Sequence, residues 1–305
     1  MEDSGRFLAK YRQYLRLERG FSPHTVDAYL RDVDKLMAYM SAEHLTLSGV
    51  TIDHLDNFSA GLRDIGIHPR SQARILSGVR SFFHFLVMAG YLASDPSELL
   101  PSPDIGVHLP EVLTLEEIDA LIAAIDLSLP EGHRNRAMLE VLYSCGVRVS
   151  ELCNLKLSEL HFEEGFILVE GKGSKQRLVP ISSRAIQELE LYLIDRRIVR
   201  VRPGYEDYVF LSRFGKNISR IMVFHIIKEL AHYIGLQKEI SPHTFRHSFA
   251  THLLEGGANL RAIQMMLGHE HINTTEIYTH IDCNMLRSEI IEHHPRNMRR
   301  GGSSR

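Results

Sequence analysis

No run of about 18 consecutive apolar residues occurs in this chain, so nothing in it reads as a membrane-spanning helix. Cysteine is scarce: Cys145, Cys153 and Cys283 are too few and too scattered for a disulfide framework. The first residues, Met1-Glu2-Asp3-Ser4, are acidic and hold no apolar signal core. These absences point to a reducing compartment, and the expected location is the cytoplasm. Positive charge is short as well. The formal net charge is −3, with 35 Lys and Arg against 38 Asp and Glu, and neither the first 110 residues nor the remainder has a basic excess. Nucleic-acid binders draw much of their affinity from neutralising phosphates, so such a role requires the basic groups to be gathered on one face. Internal repeats, low-complexity stretches, a glycine-rich phosphate loop and an acidic metal cluster are all missing too.

What is there reads as an ordinary globular protein: 305 residues, 44% hydrophobic and 24% charged, long enough for two domains. Residues 101–110 hold three prolines and a glycine without helical period, and are read as an interdomain linker. Before them, Val26, Tyr29, Leu30, Val33, Leu36, Met37 and Met40 recur at helical spacing behind Ser22-Pro23, an N-cap with proline in the first position. The same periodicity predicts helices over 3–18, 51–64 and 70–89. After the linker, Thr114-Leu115-Glu116-Glu117 is a capping box, followed by Ile118, Leu121, Ile122 and Ile125 on one face. Residues 166–169 and 178–181 flank Gly171-Lys172-Gly173-Ser174-Lys175 as a hairpin, and helices are expected over 183–199, 218–234, 242–256 and 259–267. The expected fold is mainly α with a small β-sheet. It comprises a helical N-terminal domain (1–100), the linker, an α+β domain (111–296) and a disordered tail (297–305).

Chemistry gathers toward the C-terminus. Pro242 starts a helix whose next residues, His243, Arg246 and His247, lie near one face at the positive end of the helix dipole. No Asp or Glu stands between Ser241 and Leu254 to compete for the arginine. Leu267-Gly268-His269 and Tyr278 follow, and earlier stand Arg148, just after Gly146, and Lys172 at the hairpin tip. Singly each has an ordinary explanation: a solvated first turn, a C-cap loop, a half-buried aromatic, a surface arginine, a turn lysine. A zinc site at His243 and His247 is disfavoured, because Thr244 stands where a zinc protease needs Glu and Arg246 would sit beside the metal. Taken together the groups suit an anionic, oxygen-rich reaction centre, for which a phosphodiester is the commonest candidate.

The order Arg148, Lys172, His243-x-x-Arg246, His269, Tyr278 resembles the tyrosine site-specific recombinases, and among them the bacterial Xer recombinases. The flanking runs Arg-Val-Ser-Glu-Leu (148–152), Gly-Lys-Gly-Ser-Lys-Gln-Arg (171–177), His-Ser-Phe-Ala-Thr-His-Leu-Leu (247–254) and Leu-Gly-His (267–269) carry the likeness. It spans both domains, the helical one resembling the family's core-binding domain. One departure is Phe245, where the family usually has Leu, at an expected core position.

The resemblance implies a mechanism. Tyr278 attacks the scissile phosphate to give a 3′-phosphotyrosyl link and a free 5′-hydroxyl. Arg148 and Arg246 hold the non-bridging oxygens, His269 donates to them, Lys172 protonates the leaving 5′-oxygen, and His243 accepts the phenol proton. A free tyrosine titrates near pH ~10, so its attack needs a base or a strongly electropositive pocket. Because the covalent link conserves the bond energy, no cofactor is expected, neither ATP nor metal. Glu151 is a candidate partner for a neighbouring catalytic group. Weak candidates for phosphate contact are Arg70 and Arg74 in the helical domain, and Lys175 and Arg177 on the hairpin.

The implied partner is a double-stranded DNA recombination site gripped by a two-domain clamp. Four protomers would act together, with the same chain or a paralogous Xer recombinase, and a septal DNA translocase is an admissible activator; no membrane partner is expected. Met285, Leu286, Ile290 and Ile291 form one face of the terminal helix, expected to dock into a neighbouring subunit, with packing in its own subunit as the alternative. Chromosome-dimer resolution is the leading task. The competing ones are mobile-element integration, type IB topoisomerase activity and non-catalytic DNA binding.

Overall fold

The structure, a computed structural model, describes residues 2–104, 111–171, 175–268 and 280–297. The chain divides into two compact units, Met1–His108 and Leu109–Arg305. No helix among the described residues is long and apolar enough to cross a membrane.

The first unit holds α1 (Glu2–Leu17), α2 (Pro23–Ala42), α3 (Ile52–Asp64) and α4 (Pro69–Met88). The Ser22 hydroxyl accepts from the Thr25 backbone N–H at 3.3 Å, so the expected cap opens α2. Tyr11, Leu15, Val33, Leu36, Leu76, Phe82 and Phe83 are fully or almost fully buried and form the core where α1, α2 and α4 meet. Asp32 of α2 is buried within it and accepts both terminal nitrogens of Arg74 of α4, one of them at 2.8 Å. A Cβ at Gly78 would stand 2.9 Å from that of Asp32, so the glycine lets the two helices close on the carboxylate.

The second unit runs α5 (Leu115–Ala123), α6 (Gly132–Cys145), α7 (Val149–Asn154), β1 (Leu160–His161), β2 (Phe166–Glu170), β3 (Gln176–Pro180), α8 (Ser183–Arg196), α9 (Arg220–Tyr233), α10 (Pro242–Glu255), α11 (Leu260–Leu267) and α12 (His280–His293). The strands form an antiparallel sheet in the order β1-β2-β3, with Phe166 opposite Pro180 and Glu170 opposite Gln176. The capping box of α5 is present: Glu117 accepts from the Thr114 N–H at 2.8 Å and Thr114 from the Glu117 N–H at 3.2 Å.

The periodic pattern gives no helix over 132–145, yet α6 is the central one. Its residues from Ala137 to Cys145 are buried on every side, so no polar face exists to generate a period. Even Glu140 is fully enclosed, and is neutralised by Arg184 (2.8 Å) and Arg296 (3.0 Å). Phe245 of α10 lies in the same core, fully buried, which fits a packing role for this departure.

Leu286 and Ile290 are buried in the unit's own core, while Met285 and Ile291 are 40% and 52% exposed. Half of the expected apolar face is thus packed within the unit, and the other half is open at the surface. Asn297, expected in the tail, donates to the Ile290 carbonyl at 3.1 Å. The remaining tail and linker residues 105–110 lie outside the described residues.

Candidate active site

Gly146 ends α6 with φ +57, and Arg148 caps the start of α7 two residues later. A Cβ on Gly146 would lie 2.3 Å from the Phe249 ring, so glycine is what allows α10 to press against this turn. That approach brings Arg246, one turn earlier on α10, onto the same bend: its Nη1 donates to the Gly146 carbonyl at 2.7 Å.

The C-terminus of α11 supplies the other anchor. Helix ends leave carbonyls without intrahelical partners and carry a partial negative charge. Three successive carbonyls here each accept from a different arginine: Met266 from Arg177 Nε at 2.7 Å, Leu267 from Arg246 Nη2 at 2.5 Å, and Gly268 from Arg148 Nη2 at 3.2 Å. Gly268 closes the helix with φ +65.

Glu151 supplies the counter-charge. One oxygen accepts from Arg148 Nη1 and Arg177 Nη1, the other from Arg177 Nη2 and the Arg148 backbone N–H, all at 2.8 Å. Burial alone would raise the Glu151 pKa. The hydrogen bonds and charge of Arg177, followed by the bonds from Arg148, outweigh burial and lower it, so the carboxylate is ionised at neutral pH. Arg246 is held down to about 10, first by burial and then by the positive charge of Arg148, with Arg177 adding to this and Glu151 opposing it. It therefore stays cationic at physiological pH. Three guanidiniums around one carboxylate leave a surplus of positive charge, with the Arg148 side chain 35% exposed. Beside it opens a cavity of about 430 Å³ lined by Arg148 and Lys156 and by the carboxylates of Glu151, Glu159 and Glu170. The cationic surplus therefore lies at the arginine cluster itself, where the exposed part of the Arg148 guanidinium can donate to an anion.

The expected site residues thus divide. Arg148 and Arg246 meet at one bend, and His243 is exposed in the first turn of α10, one turn before Arg246. Lys172, His269 and Tyr278 lie outside the described residues, although Gly171 and Gly268, which precede the first two in the chain, border the arginine cluster. Arg70 and Lys175 are exposed. Arg74 is half-exposed, with both terminal nitrogens on Asp32. Arg177 departs from its expected place on the hairpin surface: it is buried, and its donors are turned inward onto Glu151 and Met266. Sequence alone held a signal for this. Arg177 shares a strand face with Val179, an apolar position two residues on.

The profile of the phage integrase family matches residues 111–285, and that of the phage integrase N-terminal SAM-like domain matches residues 8–90. The chain is 42% identical over 289 residues to the tyrosine recombinase XerD of Listeria innocua, covering 94% of this chain and 97% of that protein. With the tyrosine recombinase XerD of Staphylococcus aureus it shares 39% identity over 290 residues, 95% and 98% of the two chains. Among solved structures, the pre-cleavage complex of the XerH site-specific recombinase with its difH substrate is similar at a TM-score of 0.66 and 25% identity, covering 84% of this chain and 76% of that one. The post-cleavage complex of XerH on a palindromic difH substrate gives a TM-score of 0.70 at 23% identity, covering 93% and 84%.

Proposed function

The chain belongs to the tyrosine recombinases of the phage integrase family, and from that premise we propose that it cuts and rejoins DNA at a specific site through a 3′-phosphotyrosyl intermediate. The observation that carries this reading is the convergence of Arg148 and Arg246 on the end of α11, around a single buried carboxylate. The Tyr278 oxygen attacks the scissile phosphorus while the bond to the 5′-oxygen breaks. His243 accepts the phenol proton and Lys172 supplies one to the departing 5′-oxygen. Arg148, Arg246 and His269 donate to the non-bridging oxygens, where negative charge builds in the pentacovalent transition state. Reversal with a second 5′-hydroxyl rejoins the strand, and the bond energy is held in the phosphotyrosine throughout, so neither ATP nor metal enters a step.

Both units grip the duplex in this reading, with Arg70, Arg74 and Lys175 as backbone contacts. Arg74 does so through the half of its surface that Asp32 leaves open. Relatives named XerD at about 40% identity support chromosome-dimer resolution in the cytoplasm as the task. Protomers would assemble as a tetramer on DNA, with themselves or with a paralogue, and a septal translocase would be the activator.

The test is incubation with a suicide duplex nicked near its site. Wild type is expected to form a covalent protein–DNA adduct that persists in EDTA and is lost in Tyr278→Phe. An adduct retained by that variant overturns the assignment.

A further inference from the structure

Arg177 has the charge of a DNA contact and the surroundings of an internal strut. Its side chain is 7% exposed, and three of its five N–H donors are committed, one to Met266 and two in a fork onto Glu151. A carboxylate offers about four acceptor sites. On Glu151 two are taken by the Arg177 fork and a third by the Arg148 backbone, so the Arg148 guanidinium obtains a single bond there.

We propose that Arg177 is a positioning residue that occupies the two-pronged face of Glu151 and thereby keeps Arg148 available for the scissile phosphate. Without it, Glu151 would draw Arg148 into its own fork. The geometry of carboxylate and guanidinium favours that arrangement, and the resulting pair would be neutral where the reaction needs a cation. The same guanidinium touches both approaches to the site. A Cβ on Gly268 would lie 3.1 to 3.3 Å from Arg177 Cδ, Nε and Cζ, and one on Gly171 would lie 3.6 Å from its Nη1. One buried cation therefore braces α7, the base of the hairpin and the end of α11.

This role rests on the recombinase reading, and the experiment separates the two. Single-turnover cleavage of the suicide duplex is measured at saturating DNA, alongside DNA affinity over a salt series and far-ultraviolet circular dichroism, for wild type, Arg177→Met, Arg177→Lys and Arg177→Met/Glu151→Gln. Arg177→Met is expected to cleave about 100-fold more slowly, the scale of losing one preorganised donor, with DNA affinity within about threefold of wild type because no phosphate contact is removed. Arg177→Lys keeps the charge without the fork and is expected to lose about tenfold. It carries the test should Arg177→Met fail to fold. The double variant, in which the competing carboxylate is gone, is expected to regain at least about tenfold over Arg177→Met, because the charge that captures Arg148 has been removed.

Three results overturn the proposal: cleavage by Arg177→Lys within about threefold of wild type; no recovery in a folded double variant; or weakened DNA binding with a salt slope reduced by about one, the mark of a phosphate contact. Failure of wild type to form any adduct would instead refute the recombinase reading.

Discussion

Asp32 in the helical unit and Glu151 in the second are both buried beneath arginine, and the two arrangements lead to different chemistry. In the helical unit, Asp32 accepts the whole fork of Arg74, and the pair ties α2 to α4. In the second unit, Glu151 is shared between Arg148 and Arg177, with Arg246 on carbonyls of the same cluster. One arginine per carboxylate makes a cross-brace. Three guanidiniums around one carboxylate, held by helix-end carbonyls in place of counter-charges, make a site with cationic capacity left for a ligand. The number of guanidiniums separates the two more clearly than burial does, since both carboxylates are enclosed and Asp32 adds only Lys35, at 3.7 Å.

Alanine at the two positions should separate brace from site most sharply. Arg148→Ala is expected to slow single-turnover cleavage about a thousandfold, as removal of a preorganised charge donor does, while unfolding resistance changes little. Arg74→Ala is expected to do the reverse, lowering stability by about 2 kcal/mol, less than a fully buried pair because Arg74 is half-exposed. Its cleavage rate on saturating DNA should remain near wild type. Equal losses of cleavage in the two would erase the distinction.

Gly146→Ala sharpens it from the backbone side. The added methyl meets the Phe249 ring at a positive φ, so a loss of about 2 kcal/mol is expected in thermal unfolding. Arg246 should shift with α10, and cleavage should fall as well. A variant with unchanged stability and rate would show that the bend tolerates a side chain.

The smallest effect concerns pH. The Glu151 pKa is lowered by folding, so its contribution to stability is complete above the ordinary glutamate value of about 4.3 and is lost as pH falls through the lower folded value. Between pH about 5 and 3 the wild-type melting temperature should therefore drop more steeply than that of Glu151→Gln. Parallel curves would mean that Glu151 gains nothing from its arginines.

Legibility in the sequence followed the environment of each segment. Helices with one wet face, such as α2 and α4, announced themselves through the spacing of Val26, Leu30 and Val33 or of Ile75, Val79 and Phe82. The central α6 has no wet face and left no period. Arg148 and Arg246 were readable from flanking runs, because local sequence sets Gly146 and Pro242 at the bends that aim them. Arg177 was misplaced because a basic residue near a hairpin tip is ordinarily solvated. Its partner Glu151 is 26 positions away in the chain, a pairing that only the folded sheet creates. The docking of α12 was likewise a tertiary matter, since the same apolar face fits its own core or another's.

The most direct measurement is to identify the amino acid that carries DNA. Wild-type protein trapped on a nicked duplex would be digested with protease and nuclease, and the nucleotide-bearing peptide sequenced by mass spectrometry. With cleavage after Lys and Arg, the expected result is one modified peptide, residues 262–287, with the phosphate on the Tyr278 oxygen. A nucleotide on any other side chain, or a cut strand left with no protein attached, would contradict it.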